Sequence, residues 1–291
     1  MKHFEKMCIV GVGLLGGSLA RTCKKKSLVS NVSGFGRNRE TLELAKRLGV
    51  IDSFNQDLSK AVMDADLVVF CSPVNTIVSR LKEVLPHLKP GCLVTDVGSV
   101  KSSLVSEIDE AMPENLYFVG SHPIAGSEKS GVSASTDDLF CGARCIVTPS
   151  EKTSHSALTK LRKFWEEVGM EVIEMSADEH DLILGAVSHL PHVIAFSLIN
   201  TLTELKTDNC KNVSEYSGKG LRDSSRIAAS DPVMWRDICL HNKDHLLDLI
   251  KEFQNKLEMT RQYIENNQPE QLESAFRNSQ KYRIEMACNE K

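Results

Sequence analysis

Gly11-Val12-Gly13-Leu14-Leu15-Gly16 follows an apolar run directly and opens a helical pattern. Three glycines at this spacing suit a pyrophosphate. The first allows a tight turn, the second lets the backbone approach the anion, and the third permits close packing of helix on strand. The helix start adds free N–H groups that point at the ligand. A glycine-rich turn without a ligand explains that spacing poorly, so Gly11 to Gly16 are the candidate dinucleotide loop. An NAD site calls for a carboxylate at the end of the second strand, where it holds the ribose hydroxyl. Here the strand Val32–Phe35 ends in Gly36-Arg37-Asn38-Arg39. Arg37 and Arg39 stand where a 2′-phosphate would sit, which favours NADP. A solvated helix start, or an arginine stacked on adenine, accounts for the same residues, and NAD stays possible.

Other reactive groups fall where an open parallel sheet presents its ligand, beyond the carboxyl ends of the strands. Cys71-Ser72-Pro73-Val74 ends one strand, and Asp96-Val97-Gly98-Ser99-Val100-Lys101 ends the next. Ser121-His122-Pro123-Ile124-Ala125-Gly126-Ser127-Glu128 ends a third, with His122 placed in a Gly/Pro loop as an acid/base beside a nicotinamide. A histidine merely hydrogen-bonded in a turn is the alternative. Further on, Ser188-His189-Leu190-Pro191-His192 puts two histidines on one side of a helix. Pro191 is expected to kink that helix and free a carbonyl. With His180 or Asp181 as a third ligand these histidines would make a metal site, but nothing else has ligand spacing and no metal is expected. Arg222 and Arg226, four apart at a helix start, repel one another unless an anion joins them. Otherwise they are a pair of surface arginines.

These groups need a frame. The 291 residues amount to about two domains. Strands are expected at Met7–Val10, Val32–Phe35, Leu67–Cys71, Leu93–Val97, Tyr117–Gly120, Cys145–Thr148 and Val172–Met175. Amphipathic helices such as Arg39–Leu48, Thr76–Leu88, Lys101–Met112 and Ser154–Val168 alternate with them, which implies βαβ units around a mostly parallel sheet. From Ser176 onward the pattern is helical, over Asp178–Leu205, Pro232–Asn266 and Pro269–Met286, with Lys206–Arg222 as a loop. The expected domains are 1–176 and 177–291, with Ser176 or Asp178 capping the first long helix. Leu246, Leu247, Leu249, Ile250, Phe253 and Leu257 are too many apolar positions for a solvated helix, so a homodimer is expected through this half.

Composition narrows the classes. Hydrophobic residues make up 41% and charged residues 25%, ordinary for a globular protein. A net charge of −4 with no strongly basic half argues against nucleic acid as a partner. The apolar stretch Met7–Ala20 is too short to span a bilayer. Its lysine flanks resemble those of a signal peptide, but its glycine spacing fits the dinucleotide loop better, and no membrane partner is expected. Nine cysteines, an odd number without a CxxC pair, read as reduced thiols of a cytoplasmic protein, and Cys141 with Cys145 makes a poor zinc site.

The Gly11–Gly16 loop, Asp96–Lys101, His122-Pro123-Ile124-Ala125-Gly126, Ser188–His192 and Asp231-Pro232-Val233-Met234-Trp235-Arg236-Asp237 occur together in this order. The chain thereby resembles the prephenate dehydrogenase family (arogenate and cyclohexadienyl dehydrogenases) of tyrosine biosynthesis, over nearly its whole length. The resemblance implies an α/β Rossmann-type dinucleotide-binding domain followed by an all-α dimerisation domain. Two departures stand out: Gly36-Arg37 replaces the acidic ending of NAD-using relatives, and Arg222 stands where some relatives have lysine. Neither a chorismate mutase segment before the first strand nor a regulatory domain after Tyr282 is expected.

The implied reaction removes hydride from C4 of prephenate, or of arogenate, to NAD(P)+, after which the ring loses CO2 and becomes aromatic. His122 would take or polarise the C4 hydroxyl proton, and Ser99 would hydrogen-bond and orient that imidazole. Arg226 would bind a substrate carboxylate, with Arg222, His189 and His192 nearby. Glu128 resembles a family position that gates the pocket, and Ser72 belongs with the cofactor loop. Two other readings compete. One is a dehydrogenase of the β-hydroxyacid or imine reductase type, which leans on a lysine or asparagine in the long helix, where no lysine lies between Asp178 and Leu205. The other is a non-catalytic dinucleotide sensor, which needs neither His122 nor Arg226.

Overall fold

A computed structural model of the chain describes residues 3–127, 129–205 and 213–289. The first part runs β1 (Phe4–Val10), α1 (Leu14–Lys25), β2 (Val29–Phe35), α2 (Arg39–Arg47), β3 (Ser53–Asn55), α3 (Leu58–Val62), β4 (Leu67–Phe70), α4 (Ile77–Val84), β5 (Leu93–Asp96), α5 (Ser102–Ala111) and β6 (Tyr117–Phe118). The six strands pair in parallel in the order β3-β2-β1-β4-β5-β6. Met7, Ile9, Leu67 and Val69 join one buried apolar cluster, and Cys8, Val10, Val68 and Phe70 join another. Alternate residues of a strand face opposite sides, so unbroken apolar runs are what a sheet covered on both faces requires. The short β3 and α3 were not expected; at three and five residues they carry too little periodicity to read. The segment Met7–Ala20 is folded into this core as strand, turn and helix.

The expected strand Tyr117–Gly120 is in fact two. After β6 the chain enters a second sheet of β7 (Gly120–Pro123), β8 (Arg144–Thr148) and β9 (Glu171–Glu174), with α6 (His155–Val168) before β9. In it β7 and β8 run antiparallel and β8 and β9 parallel. The turn-off is fixed by polar contacts of Ser121. Its Oγ donates to the Asp96 carbonyl at 2.6 Å and lies 2.9 Å from Thr95 Oγ1, and its N–H donates to Asp96 Oδ1 at 3.2 Å. His122 therefore lies in a paired strand opposite Ile146 rather than in a loop.

The helical part contains α7 (Ala177–Leu184), a π-helical segment Gly185–His189, α8 (Leu190–Glu204), α9 (Lys219–Ser225), a 3₁₀ turn Arg226–Ala229, α10 (Pro232–His241), α11 (Lys243–Glu265) and α12 (Pro269–Asn289). Ser176 caps α7 by accepting from the Glu179 N–H at 3.1 Å. Two expectations are corrected here. Pro232–Asn266 is divided at Asn242, whose φ of −105° and ψ of 38° leave the helix. Within Lys206–Arg222, Val213–Tyr216 is a 3₁₀ turn and Lys219 begins α9, while 206–212 lie outside the described residues. The chain forms two compact units, Met1–Lys243 and Asp244–Lys291. The first is a Rossmann-type α/β domain extended by helices.

Candidate active site

The strand order doubles back between β1 and β4, and a crevice at such a switch point is where an open α/β sheet takes its ligand. There Gly11 N–H donates to Phe35 O at 2.9 Å and Cys71 N–H to Val10 O at 2.8 Å. Gly11 has φ +107°, and a Cβ on it would lie 2.6 Å from Cys71 O. A Cβ on Gly16 would lie 2.3 Å from Gly11 O, whereas one on Gly13 would meet nothing within 4 Å. That open space, beside the uncapped start of α1, has the room and the free N–H groups that a pyrophosphate needs. The N–H groups of Leu14, Leu15 and Gly16 have no partner inside the helix. Val12 is buried behind them. Ser72 is brought to the same place, its N 3.0 Å from the Gly11 Cβ position and its Oγ 2.9 Å from Thr76 Oγ1.

At the end of β2, Arg37 is exposed. Arg39 is not its companion, because it pairs with Glu43 at 2.8 Å on the first turns of α2. Arg80 of α4 takes that place, with its guanidinium 5.3 Å from the centre of the Phe35 ring. Burial, and then the charge of Arg37, lower its pKa. Sequence periodicity gave no sign of Arg80, which looks like an ordinary helix arginine until α4 is placed beside β2.

His122 is held by a chain of hydrogen-bond contacts. His122 Nδ1 lies 2.8 Å from His180 Nε2, and His180 Nδ1 lies 2.7 Å from Asp181 Oδ1. Asp181 also accepts from the N–H groups of Lys101 and Ser102, both at 2.8 Å. Beneath them Lys101 Nζ donates to Asp96 Oδ2 at 2.6 Å, and both side chains are fully buried. Burial, then the charges of His180, Lys101 and His189, hold the His122 imidazole well below its ordinary value. His180 and Asp181, considered above as metal ligands, are spent on this chain. The bond expected from Ser99 to His122 is not formed among the described residues. His180 occupies the Nδ1 position, and Ser99 stays half-buried at the end of β5.

His189 and His192 separate. His189 is buried at the end of the π segment, where its Nδ1 accepts from Asn242 Nδ2 at 2.9 Å. The same amide donates to the Asp181 carbonyl at 2.7 Å, so Asn242 both ends α10 and ties His189 to α7. His189 Nε2 is buried without a hydrogen bond of ordinary geometry. Burial pushes this imidazole down to about 4, against the opposing pull of Asp181. His192 stacks on Trp235, with ring centres 3.5 Å apart, and its Nδ1 donates to the Ser188 carbonyl at 2.9 Å. Arg226 lies close enough for its charge to lower the His192 pKa, after the larger effect of burial. Arg222 is exposed on α9, and its guanidinium donates to the Ser217 carbonyl at 3.4 Å. Glu128 lies outside the described residues. Asn242 and Trp235 were missed as site residues because their roles exist only once α10 packs on the long helix.

A family model described as the prephenate dehydrogenase nucleotide-binding domain matches residues 19–174, and one described as the prephenate dehydrogenase dimerization domain matches residues 176–278. The chain belongs to the prephenate dehydrogenase family. It is 36% identical to prephenate dehydrogenase of Bacillus subtilis, over 99% of this chain and 77% of that one. It is 34% identical to cyclohexadienyl dehydrogenase of Zymomonas mobilis, over 98% and 97%. Among solved structures it is similar to Aquifex aeolicus prephenate dehydrogenase in complex with hydroxyphenyl propionate and NAD+. That match has a TM-score of 0.91 and 37% identity, and covers 97% of this chain and 98% of that one. As a member of this family the protein is an oxidoreductase with a nucleotide-binding domain.

The buried imidazoles set a pH dependence of stability. Unfolded histidines take up protons near pH 6.5, whereas folded His189 does so at about 4. Between those values the unfolded chain binds more protons, so stability falls as pH falls through this window. For His189 alone the effect is up to about 3 kcal/mol. Denaturant midpoints measured between about pH 7 and pH 4.5 should fall steadily, and His189→Gln should flatten the slope. An unchanged slope in that variant would assign the effect elsewhere.

Proposed function

We propose that this chain oxidatively decarboxylates prephenate, or its amino counterpart arogenate, with NAD or NADP as hydride acceptor. The observation that carries this reading is His122. It is a neutral imidazole with its Nδ1 tied to His180, while its Nε2 makes no hydrogen bond among the described residues. The hydroxyphenyl propionate in the Aquifex relative is an aryl carboxylate shaped like the aromatic product, which supports the substrate class. The Gly11–Gly16 loop would hold the pyrophosphate of the dinucleotide, and the bound cofactor would supply a hydride acceptor for C4 of the ring. His122 Nε2 takes the C4 hydroxyl proton as that bond breaks. The C1–carboxylate bond then releases CO2, its electrons aromatise the ring, and the proton on His122 returns to the phenolic oxygen. Arg226 holds a substrate carboxylate, with His192 on its Trp235 platform beside it. His189, Arg222 and Glu128 are read as completing the substrate group, and Ser99 as the second catalytic residue. The long helix has no lysine from Asp178 to Leu205, which weighs against the β-hydroxyacid type of dehydrogenase.

The architecture is read as 1–176 for dinucleotide binding and 177–291 for substrate binding and dimerisation. Self-association is supported by the description of the second family model and by exposed apolar side chains. Leu182, Ile183 and Val187 are exposed on the long helix, and Leu247, Leu257 and Phe276 in the second unit. The described cysteines are all free thiols, which fits a reducing cytoplasm.

Three measurements test these readings. With prephenate, His122→Asn should lower kcat by roughly 10²–10⁴ with little change in KM, whereas Arg226→Ala should raise KM more than it lowers kcat. If His122→Asn raises KM alone, His122 is not the base. Cofactor preference is read as NADP, on the pairing of Arg37 with Arg80. Gly36→Asp should shift the kcat/KM ratio toward NAD by repelling the 2′-phosphate. A Cβ there would lie 3.3 Å from Leu42 Cδ2, so that side chain must give by a few tenths of an ångström, and thermal melts of the variant check that it stays folded. An unchanged ratio would place the discrimination elsewhere. Sedimentation at micromolar concentration should show a dimer, and a species of only 32.3 kDa would refute the interface.

A further inference from the structure

The contacts behind His122 determine where its proton sits. Asp181 stands at the start of α5, where Lys101 supplies no side-chain cap. Its carboxylate fills that role from another helix, taking the Lys101 and Ser102 N–H groups. Burial raises its pKa, but the hydrogen bonds from His180 and Ser102 outweigh this and keep it below the usual carboxylate range. An ionised carboxylate can only accept. His180 must therefore carry its proton on Nδ1, 2.7 Å from Asp181 Oδ1. Burial keeps His180 neutral, so its Nε2 is left with a lone pair. That lone pair faces His122 Nδ1 at 2.8 Å and makes it the protonated nitrogen. The lone pair of His122 is thus on Nε2.

We propose that His180 and Asp181 are positioning residues that hold His122 as the Nδ1–H tautomer, leaving Nε2 as the proton acceptor. This deepens the reading of His122 as the base and rests on it. The arrangement has a second consequence. When Nε2 accepts a proton, the new positive charge lies at one end of a hydrogen-bonded line whose other end is the Asp181 carboxylate. A carboxylate so placed orients an imidazole and stabilises its protonated form without itself taking the proton. It also offsets the Lys101 charge that disfavours a cation at His122.

The test needs a readout that mere loss of structure would not produce. Nitrogen NMR of the histidine rings in the ligand-free protein at neutral pH should show His122 protonated on Nδ1 and bare on Nε2. His180→Leu removes the acceptor, and should put a proton on His122 Nε2 in a large share of molecules. It should lower kcat with prephenate by on the order of 10²-fold, with KM and dinucleotide affinity nearly unchanged. His180→Gln keeps an acceptor oxygen, and should recover at least about tenfold of that loss and restore the Nδ1–H tautomer. A wild-type His122 protonated on Nε2 would overturn the proposal. So would equal loss of kcat in the two variants, or a loss expressed in KM alone. If His180→Leu fails to fold, the wild-type spectrum and the glutamine variant decide. If no turnover of prephenate or arogenate is found, the functional reading fails, while the tautomer measurement still tests the relay.

Discussion

The ion pair between Asp96 and Lys101 carries an unusual share of this structure. Both side chains are wholly removed from water, and Asp96 accepts four hydrogen bonds, three of them at its carboxylate. Oδ2 accepts from Lys101 Nζ and from the Gly98 N–H, Oδ1 accepts from the Ser121 N–H, and the Asp96 carbonyl accepts from Ser121 Oγ. One aspartate thereby joins the last turn of β5 to the first residues of β7, across the break between two sheets. Burying two charges is expensive, and it is tolerated only where hydrogen bonds satisfy the remaining lone pairs. Nearly every oxygen lone pair here has a donor. Removing one partner of such a pair typically costs about 3–5 kcal/mol, because the other charge is left stranded.

From that pair outward the site is assembled by backbone geometry. Lys101 places its own N–H on Asp181, Asp181 orients His180, and His180 orients His122. The long helix delivers two of these groups and, through its π segment, a third. π segments widen a helix by one residue per turn and recur at functional sites. Here the segment precedes Pro191, and the Ser188 carbonyl within it takes the His192 ring. The result is a row of imidazoles kept neutral by burial, one with an accessible nitrogen, in a region whose fixed charges are an anion at each end and a lysine between.

Sequence and tertiary structure divide the information cleanly. The dinucleotide loop was legible because its requirement is local: Gly11 needs a positive φ, and Gly16 must lie against the loop backbone. No other residue type meets those demands. The alternation of buried strands and amphipathic helices was legible for the same reason, since burial on both faces of a parallel sheet writes itself as unbroken apolar runs. The order of motifs along the chain sufficed for the family.

What stayed hidden depends on distant partners. His180 and Asp181 read at most as a third ligand for a metal site until the start of α5 is brought against Asp181, from 79 and 80 residues away. Arg80 rather than Arg39 accompanies Arg37 because Arg39 finds Glu43 on its own helix, and α4 carries Arg80 across to Phe35. Asn242 ends one helix and holds two others, through contacts spanning 53 and 61 residues. Local backbone demands fix a residue type at a position, so the sequence by itself determined the loop, the fold class and the candidate base. A proton's location depends on which donors and acceptors meet in space, and that was decided by the packing alone.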